Sequence, residues 1–147
     1  MIRLETSVII DAPVEKVWEF LSNPDTVPEW TGVKDAKFDG PIRVGTTAKA
    51  TLHFLGSRTL ELTVSEYEPE KRKLGVEGTI LGAKVHDLYS LEPTEGVKTR
   101  FTKTSTVEGG GLMRVFSPFM ARRGKRTALT QMENVKRIVE AQGRTES

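Results

Sequence analysis

The chain has 147 residues, 37% hydrophobic and 29% charged, which is ordinary for a single globular domain spanning residues 1–147. It contains no cysteine, which excludes a disulfide scaffold and a thiolate metal site, and we expect a cytoplasmic location. A formal net charge of +2 does not indicate nucleic-acid binding, and the lack of a run of about 20 apolar residues argues against stable membrane insertion.

The first thirty residues predict a strand followed by two short helices. Ile2 to Ile10 alternates apolar and polar residues with a period of two, which is typical of an edge or closing strand. Asp11 is a candidate N-cap for the next helix, with Pro13 in its first turn. Ser22 to Pro24 ends that helix, and Asp25 to Trp30 then predicts a second, short helical turn.

Six further segments predict the strands of an antiparallel meander, because turn sequences separate them at close spacing. Most of these segments have one apolar and one polar face, so the sheet needs a cover on its apolar side. The predicted strands are Val33 to Asp39, Thr47 to Phe54, Thr59 to Tyr67, a short strand at Leu74 and Val76, Val85 to Leu91, and Thr99 to Val107.

The longest helical pattern runs from Leu112 to about Ala141, with apolar residues at steps of three and four. Pro118 allows two interpretations. Either Ser117 is an N-cap with Pro118 in the first helical position, or a turn from Leu112 to Phe116 is kinked onto the main helix. We expect the polar tail from Gln142 to fray. Because no other element is long enough to cover the sheet, we predict an α+β fold. Its curved seven-stranded antiparallel sheet wraps the C-terminal helix and leaves a cavity between them.

Two segments carry a resemblance to a known family. The sequence VIIDAPVEKVWEFLSNPDTVPEW (Val8 to Trp30) resembles the opening signature of the polyketide cyclase/dehydrase and lipid-transport-like (SRPBCC) branch of the START and birch-pollen-allergen superfamily. The sequence YSLEPTEGVKTRFT (Tyr89 to Thr102) resembles the last hairpin of that branch, with Lys98 where glycine is frequent. The resemblance covers essentially the whole chain and implies a helix-grip fold. It does not choose among the lipid carriers, hormone receptors, cyclases and dehydratases of the superfamily.

The expected cavity is lined by the apolar strand faces and by both helical regions. Small-molecule sites are mostly apolar cavities with a few polar groups, and this lining has that character. The simpler interpretation is that these side chains only pack against one another. The candidate ligand-binding residues are Trp30, Phe38, Phe54, Leu62, Val76, Tyr89, Phe101, Phe116, Phe119 and Met120.

Asp87, Tyr89 and Lys103 are the candidate catalytic residues, since the alternation of their strands points them inward. The two strands form a predicted hairpin, so Asp87 and Lys103 would be neighbours. A buried charge is costly without a partner, and such a pair would anchor a polar ligand group or serve acid–base chemistry. The alternative is a one-residue bulge that turns both side chains to solvent.

Several kinds of site are not indicated by the sequence. His53 and His86 lie on predicted outward faces without a metal-spacing motif, so we predict no metal site. No phosphate-cradling, nucleophile-elbow or dinucleotide motif is present, so we predict no cofactor. A basic run lacks the interleaved aromatic residues that stack bases, so we predict no nucleic-acid partner. This run is either a solvated helix face or a rim that makes weak contact with an anionic surface, and its cations are Arg122, Arg123, Lys125 and Arg126.

These patterns favour a small binding protein that encloses a hydrophobic molecule between sheet and long helix. The ligand would be a lipid, an aromatic or a polyketide-like compound, and the first helix and the Gly109–Gly111 hinge would act as the gate. The alternative is a polyketide cyclase/dehydratase-like enzyme that uses an inward acid or base in the same cavity. A third hypothesis is an interaction or stress protein with a collapsed interior. An inward pair of Asp87 and Lys103 would favour the enzyme.

Overall fold

The computed structural model describes residues 2–31, 35–53, 57–80, 82–109 and 118–146, and within them seven strands form one sheet. The helices are α1 (Val14–Leu21), α2 (Val27–Thr31) and α3 (Pro118–Glu146), with a 3-10 turn at Pro24–Thr26 before α2. The strands are β1 (Ile2–Ile10), β2 (Lys37–Phe38), β3 (Thr47–His53), β4 (Ser57–Glu68), β5 (Lys73–Ile80), β6 (Ala83–Thr94) and β7 (Lys98–Glu108).

The sheet has the order β1-β7-β6-β5-β4-β3-β2, and all neighbouring strands are antiparallel. Strands β2 to β7 follow one another as a meander, and β1 closes it by pairing with β7. In that pairing Val8 lies opposite Phe101. The predicted α+β fold, with two short helices between the first two strands, is confirmed.

The long helix α3 packs on β1 and contacts α1 and α2. Its buried side chains are spaced at four, three and four residues, so they share one face of the helix. Three of them belong to the hydrophobic core that β1, β7 and α1 also build. The buried residues of this face are Ala128, Met132, Val135 and Val139.

Polar contacts fix the C-terminal half of α3 beside β1. Lys136 Nζ donates a hydrogen bond to the backbone carbonyl of Ile9 at 2.8 Å, and it also contacts Glu140 Oε2 at 2.6 Å. The same Glu140 oxygen accepts a hydrogen bond from the backbone N–H of Asp11 at 2.8 Å. The helix is therefore held at the end of β1 by both its apolar face and its charged side chains.

The structure corrects two predicted boundaries. Asp11 is not the cap of α1, which begins after an N-cap at Pro13 that makes no side-chain cap hydrogen bond. The helix α3 continues to Glu146, beyond its predicted end near Ala141. The described part of α3 begins at Pro118, but the two interpretations of Pro118 differ in Ser117 and in the turn from Leu112 to Phe116, which lie outside the described residues. Residues 110–117 lie outside the described part of the chain.

Candidate functional site

A cavity of about 180 Å³ lies between the inner face of the sheet, α2 and the middle of α3. Its walls are mostly apolar, and they come from strands that are distant in sequence but adjacent in the meander. Five of the predicted ligand-binding residues line it, namely Trp30, Phe38, Leu62, Val76 and Tyr89.

The other predicted ligand-binding residues lie elsewhere. The Phe101 side chain is fully buried, with its ring centroid 6.1 Å from that of Tyr89, and it fills the core instead of lining the cavity. The backbones of Phe119 and Met120 lie in the first turn of α3, and their side chains are outside the description. Two further candidates, Phe54 and Phe116, lie outside the described residues.

Sequence reasoning missed several wall residues. One of them, Gln131, is polar, although its position three residues after Ala128 and four before Val135 matches the apolar face of α3. This spacing was the signal in the sequence that Gln131 lies on the buried face of α3. The missed wall residues are Leu21, Val27, Thr31, Ala36, Ile42, Ala48, Lys49, Leu60, Leu74 and Gln131.

Four side chains gather at one side of the cavity, and we call Asp87, Tyr89, Lys103 and Gln131 the polar corner. Lys103 Nζ lies 3.9 Å from Asp87 Oδ2 and 3.5 Å from Gln131 Oε1. The same nitrogen lies 5.5 Å from the centroid of the Tyr89 ring. The side chains of Lys103 and Asp87 are only 11% and 20% exposed, so this ion pair is mostly withdrawn from water.

The register of β6 and β7 explains how the polar corner forms. Tyr89 lies directly opposite Lys103, and Asp87 lies opposite Ser105, so Asp87 and Lys103 are diagonal neighbours on the inner face. The β6–β7 ladder runs without a register shift, and a shift occurs instead in β4, between Val64 and Glu66. The bulge that would have turned both charges to solvent is therefore absent from this hairpin.

Burial and neighbouring charges together set the pKa values of Lys103 and Tyr89 in the corner. Burial lowers the pKa of Lys103, but Tyr89 and the Asp87 carboxylate oppose it and leave this pKa above its ordinary value. Burial also raises the pKa of the Tyr89 hydroxyl, with a further contribution from Asp87, although Lys103 opposes the shift. At neutral pH the corner therefore contains an ammonium group and a neutral phenol.

The polar corner is joined to an aromatic wall. The rings of Trp30 and Tyr89 meet edge to face, with their centroids 5.5 Å apart. Asn134 Nδ2 on α3 donates a hydrogen bond to the carbonyl of Trp30 at 3.2 Å, which ties α2 to the long helix. The indole Nε1 of Trp30 is buried without a hydrogen-bond partner among the described residues. A buried donor of this kind is unusual in a folded protein.

Sequence comparison identifies the family to which this architecture belongs. A family model described as polyketide cyclase/dehydrase and lipid transport matches residues 1–140. The chain belongs to this family. The family resemblance predicted from the two sequence segments is thereby confirmed. No curated protein matches the chain in sequence.

Solved structures share the fold of this polyketide cyclase/dehydrase family member at low sequence identity. Norcoclaurine synthase from Thalictrum flavum is 12% identical with a TM-score of 0.75, and the match covers 97% of this chain and 96% of that one. A Mesorhizobium loti protein is 19% identical with a TM-score of 0.71 over 95% and 98%. The di-domain ARO/CYC protein BexL of the BE-7585A biosynthetic pathway is 14% identical with a TM-score of 0.75, over 95% of this chain and 47% of BexL. These structural similarities show that the chain shares the fold of these proteins.

Phe38 forms the outer wall of the cavity in this polyketide cyclase/dehydrase family member. Ala36 and Phe38 line both the cavity and an outer groove, and they belong to the segment around the two-residue edge strand β2. The carboxylate of Asp39 accepts hydrogen bonds from the backbone N–H and the hydroxyl of Thr47, at 3.1 and 2.9 Å. These hydrogen bonds lower the pKa of Asp39 and hold the segment on β3.

Outside the polar corner, the sequence analysis also considered the two histidines and the basic run. No three acidic or histidine side chains lie close enough there to hold a metal ion. His86 is half-buried on the face of β6 opposite Asp87, and the side chain of His53 is outside the description. Of the four cations in the basic run, the three with described side chains, Arg122, Lys125 and Arg126, are exposed. None of the described helices has the length and apolar character needed to cross a bilayer.

Tyr89→Phe should make the family member less sensitive to alkaline pH. Because the pKa of Tyr89 is higher in the folded than in the unfolded chain, the unfolded chain loses this proton first as pH rises above about 10. Stability then falls by up to about 1.4 kcal/mol per pH unit for this group, and the raised pKa of Lys103 lowers stability over the same pH range.

Urea unfolding at pH 8, 10 and 11 should show a shallower loss of stability with pH in Tyr89→Phe than in the unsubstituted protein. Tyr67→Phe, which alters the ring that stacks on Trp18 at 6.0 Å, is the control. Equal slopes of stability against pH in Tyr89→Phe and the unsubstituted protein would contradict the raised pKa of Tyr89.

Proposed function

We propose that this protein binds a small hydrophobic molecule in the cavity between the sheet and α3. The observation that carries the proposal is a cavity of about 180 Å³ with apolar walls and one polar corner. Small-molecule sites combine apolar walls with a few polar groups that orient the ligand. The membership of the polyketide cyclase/dehydrase and lipid transport family supports a small-molecule partner.

The size of the cavity narrows the class of ligand. An apolar cavity of about 150 Å³ is enough to bind benzene. The space lined by the described residues is therefore large enough for one aromatic ring. Removal of apolar surface from water would drive binding at about 25 cal/mol per Å², reduced by the cost of ordering the complex. The gate at the Gly109–Gly111 hinge and the cytoplasmic location remain predictions.

A second candidate function is a cyclase- or dehydratase-like enzyme, which the ion pair of the polar corner supports. Asp87 and Lys103 face the cavity with their charged atoms 3.9 Å apart, beside the Tyr89 hydroxyl. In this role the Asp87 carboxylate would accept a proton and the Lys103 ammonium would donate one to a bound substrate. Norcoclaurine synthase, solved with dopamine and hydroxybenzaldehyde, is an enzyme with this fold. Asp87→Asn should then abolish turnover while binding persists.

Titration with 4-fluorotoluene, followed by ¹⁹F NMR, tests the binding proposal, because this probe is apolar and has one ring. We expect saturable binding by the unsubstituted protein. Ala50→Phe should weaken binding at least tenfold, because the new ring would occupy the cavity that Ala50 lines. The matched control is Thr59→Phe, which adds the same ring to the exposed face of β4. Absence of binding, or equal binding by both variants, would contradict the proposal.

A further inference from the structure

We infer that the ligand of this cavity is an aromatic molecule with a neutral ring hydroxyl, and that this hydroxyl bridges Lys103 and Asp87. The inference rests on the proposed function, because it concerns the same cavity. It goes beyond apolar binding by naming the polar group of the ligand and the two side chains that receive it.

The first observation is the spacing within the ion pair. Lys103 Nζ lies 3.9 Å from Asp87 Oδ2 and 3.5 Å from Gln131 Oε1. A charge-assisted hydrogen bond is normally about 2.7–2.9 Å long. Both distances exceed this range although the two charged side chains are mostly buried. The ammonium has the Tyr89 hydroxyl and Gln131 as hydrogen-bond partners, but it does not contact the Asp87 carboxylate directly, which leaves a gap between the two charged atoms.

One oxygen atom fits that gap. An oxygen at about 2.7–2.9 Å from both Lys103 Nζ and Asp87 Oδ2 would see the two atoms at roughly a right angle. A hydroxyl group can accept from the ammonium and donate to the carboxylate at the same time. A methyl group of similar size can do neither. The spacing of the pair therefore selects a hydroxyl over an apolar substituent.

Charge balance selects a neutral ligand. The ammonium of Lys103 and the carboxylate of Asp87 cancel, so the side chains of the polar corner carry no net charge. A ligand carboxylate would add an uncompensated buried negative charge beside Asp87, which is costly. A neutral hydroxyl leaves the balance unchanged.

The surrounding wall selects an aromatic ring. Tyr89 lies opposite Lys103 in the β6–β7 ladder, and its ring meets Trp30 edge to face at 5.5 Å. Both rings line the cavity. A ring attached to the bridging hydroxyl would extend from the corner along these two side chains, and aromatic pairs of this kind add attraction beyond apolar burial. The buried Nε1 of Trp30 is a further donor on this wall for a ligand oxygen.

Three probes that share a fluorinated ring and differ in one substituent test the inference. The experiment compares 4-fluorophenol, 4-fluorotoluene and 4-fluorobenzoate by ¹⁹F NMR titration at pH 7, on the unsubstituted protein and on Asp87→Leu/Lys103→Met. The double variant removes both charges together and leaves neither unpaired. We expect the unsubstituted protein to bind 4-fluorophenol at least tenfold more tightly than 4-fluorotoluene, and 4-fluorobenzoate more weakly than 4-fluorophenol. The double variant should prefer 4-fluorotoluene.

The outcomes separate this inference from the proposed function. If the unsubstituted protein binds 4-fluorotoluene at least as tightly as 4-fluorophenol, or prefers 4-fluorobenzoate, the hydroxyl bridge is wrong while apolar binding stands. If it binds none of the probes, both fail. Circular dichroism would show whether the double variant is folded. Asp87→Leu alone, which removes the oxygen atoms that would accept the ligand's hydroxyl proton, provides the comparison if it is not, and an unchanged preference for 4-fluorophenol would overturn the bridge.

Discussion

Phe101→Ala should lower the free energy of unfolding by about 3–5 kcal/mol, the cost of removing a large aromatic side chain from a packed core. Phe101 has no exposed surface, lies opposite Val8 in the β1–β7 ladder, and packs against Tyr89. Its removal would leave a void at the junction of the closing strand, the polar corner and the α3 interface. Urea denaturation followed by circular dichroism would measure the loss.

Phe38→Ala is the matched control for this prediction, since it makes the same change in a half-buried wall residue at the sheet edge. Its expected cost is less than half that of Phe101→Ala, because less surface is buried and the edge segment can readjust. Affinity for 4-fluorotoluene should fall in Phe38→Ala, whose ring contributes to the cavity wall. A similar loss of stability in the two variants would contradict the distinction between core and wall.

Lys103→Met should lower the free energy of unfolding by about 3 kcal/mol at pH 7. This substitution retains the apolar stem of the side chain but leaves the Asp87 carboxylate, which is 20% exposed, without its partner charge. Breaking a buried ion pair by removing one member costs about 3–5 kcal/mol in other proteins, and we expect the lower end because the pair is 3.9 Å apart. Chemical denaturation at pH 7 would measure the difference.

The double variant Asp87→Leu/Lys103→Met should recover most of this stability, because it replaces the whole pair with apolar side chains. A double-mutant cycle with both single variants would give the coupling energy between the two residues. The exposed pair of Lys84 and Glu77, also 3.9 Å apart, is a suitable control, since screening by water should reduce its coupling to below about 1 kcal/mol. Equal coupling in the two pairs would show that the polar corner is open to solvent.

The binding and enzymatic hypotheses make different demands on the same corner. For a binding protein, the corner orients the ligand, and loss of either charge changes which ligand is preferred. For an enzyme, the corner must also move a proton, so Asp87 and Lys103 would have to return to their starting protonation states in each cycle. Native mass spectrometry of the freshly purified protein would separate the hypotheses further, because a retained small molecule indicates binding and identifies compounds to test for turnover.

Local sequence by itself determined the elements and their faces. The two-residue alternation of β1, β6 and β7 and the three- and four-residue steps of α3 depend only on backbone geometry, so they predicted which side chains point inward. The same alternation placed Asp87 and Lys103 on one face. Short turns between successive strands predicted the meander, since antiparallel neighbours need only brief connections.

Tertiary structure decided which inward side chains fill the core and which enclose a cavity. Phe101 and Phe38 both face inward, but the closing strand and α3 bury Phe101, whereas Phe38 lies at the far edge of the sheet. Gln131 enters the cavity because α3 packs on β1 and α2, and no local pattern specifies that docking position. The gap between Lys103 and Asp87 likewise depends on the unbroken β6–β7 register. Alternation specifies a face, while distances across that face depend on contacts between residues far apart in the chain.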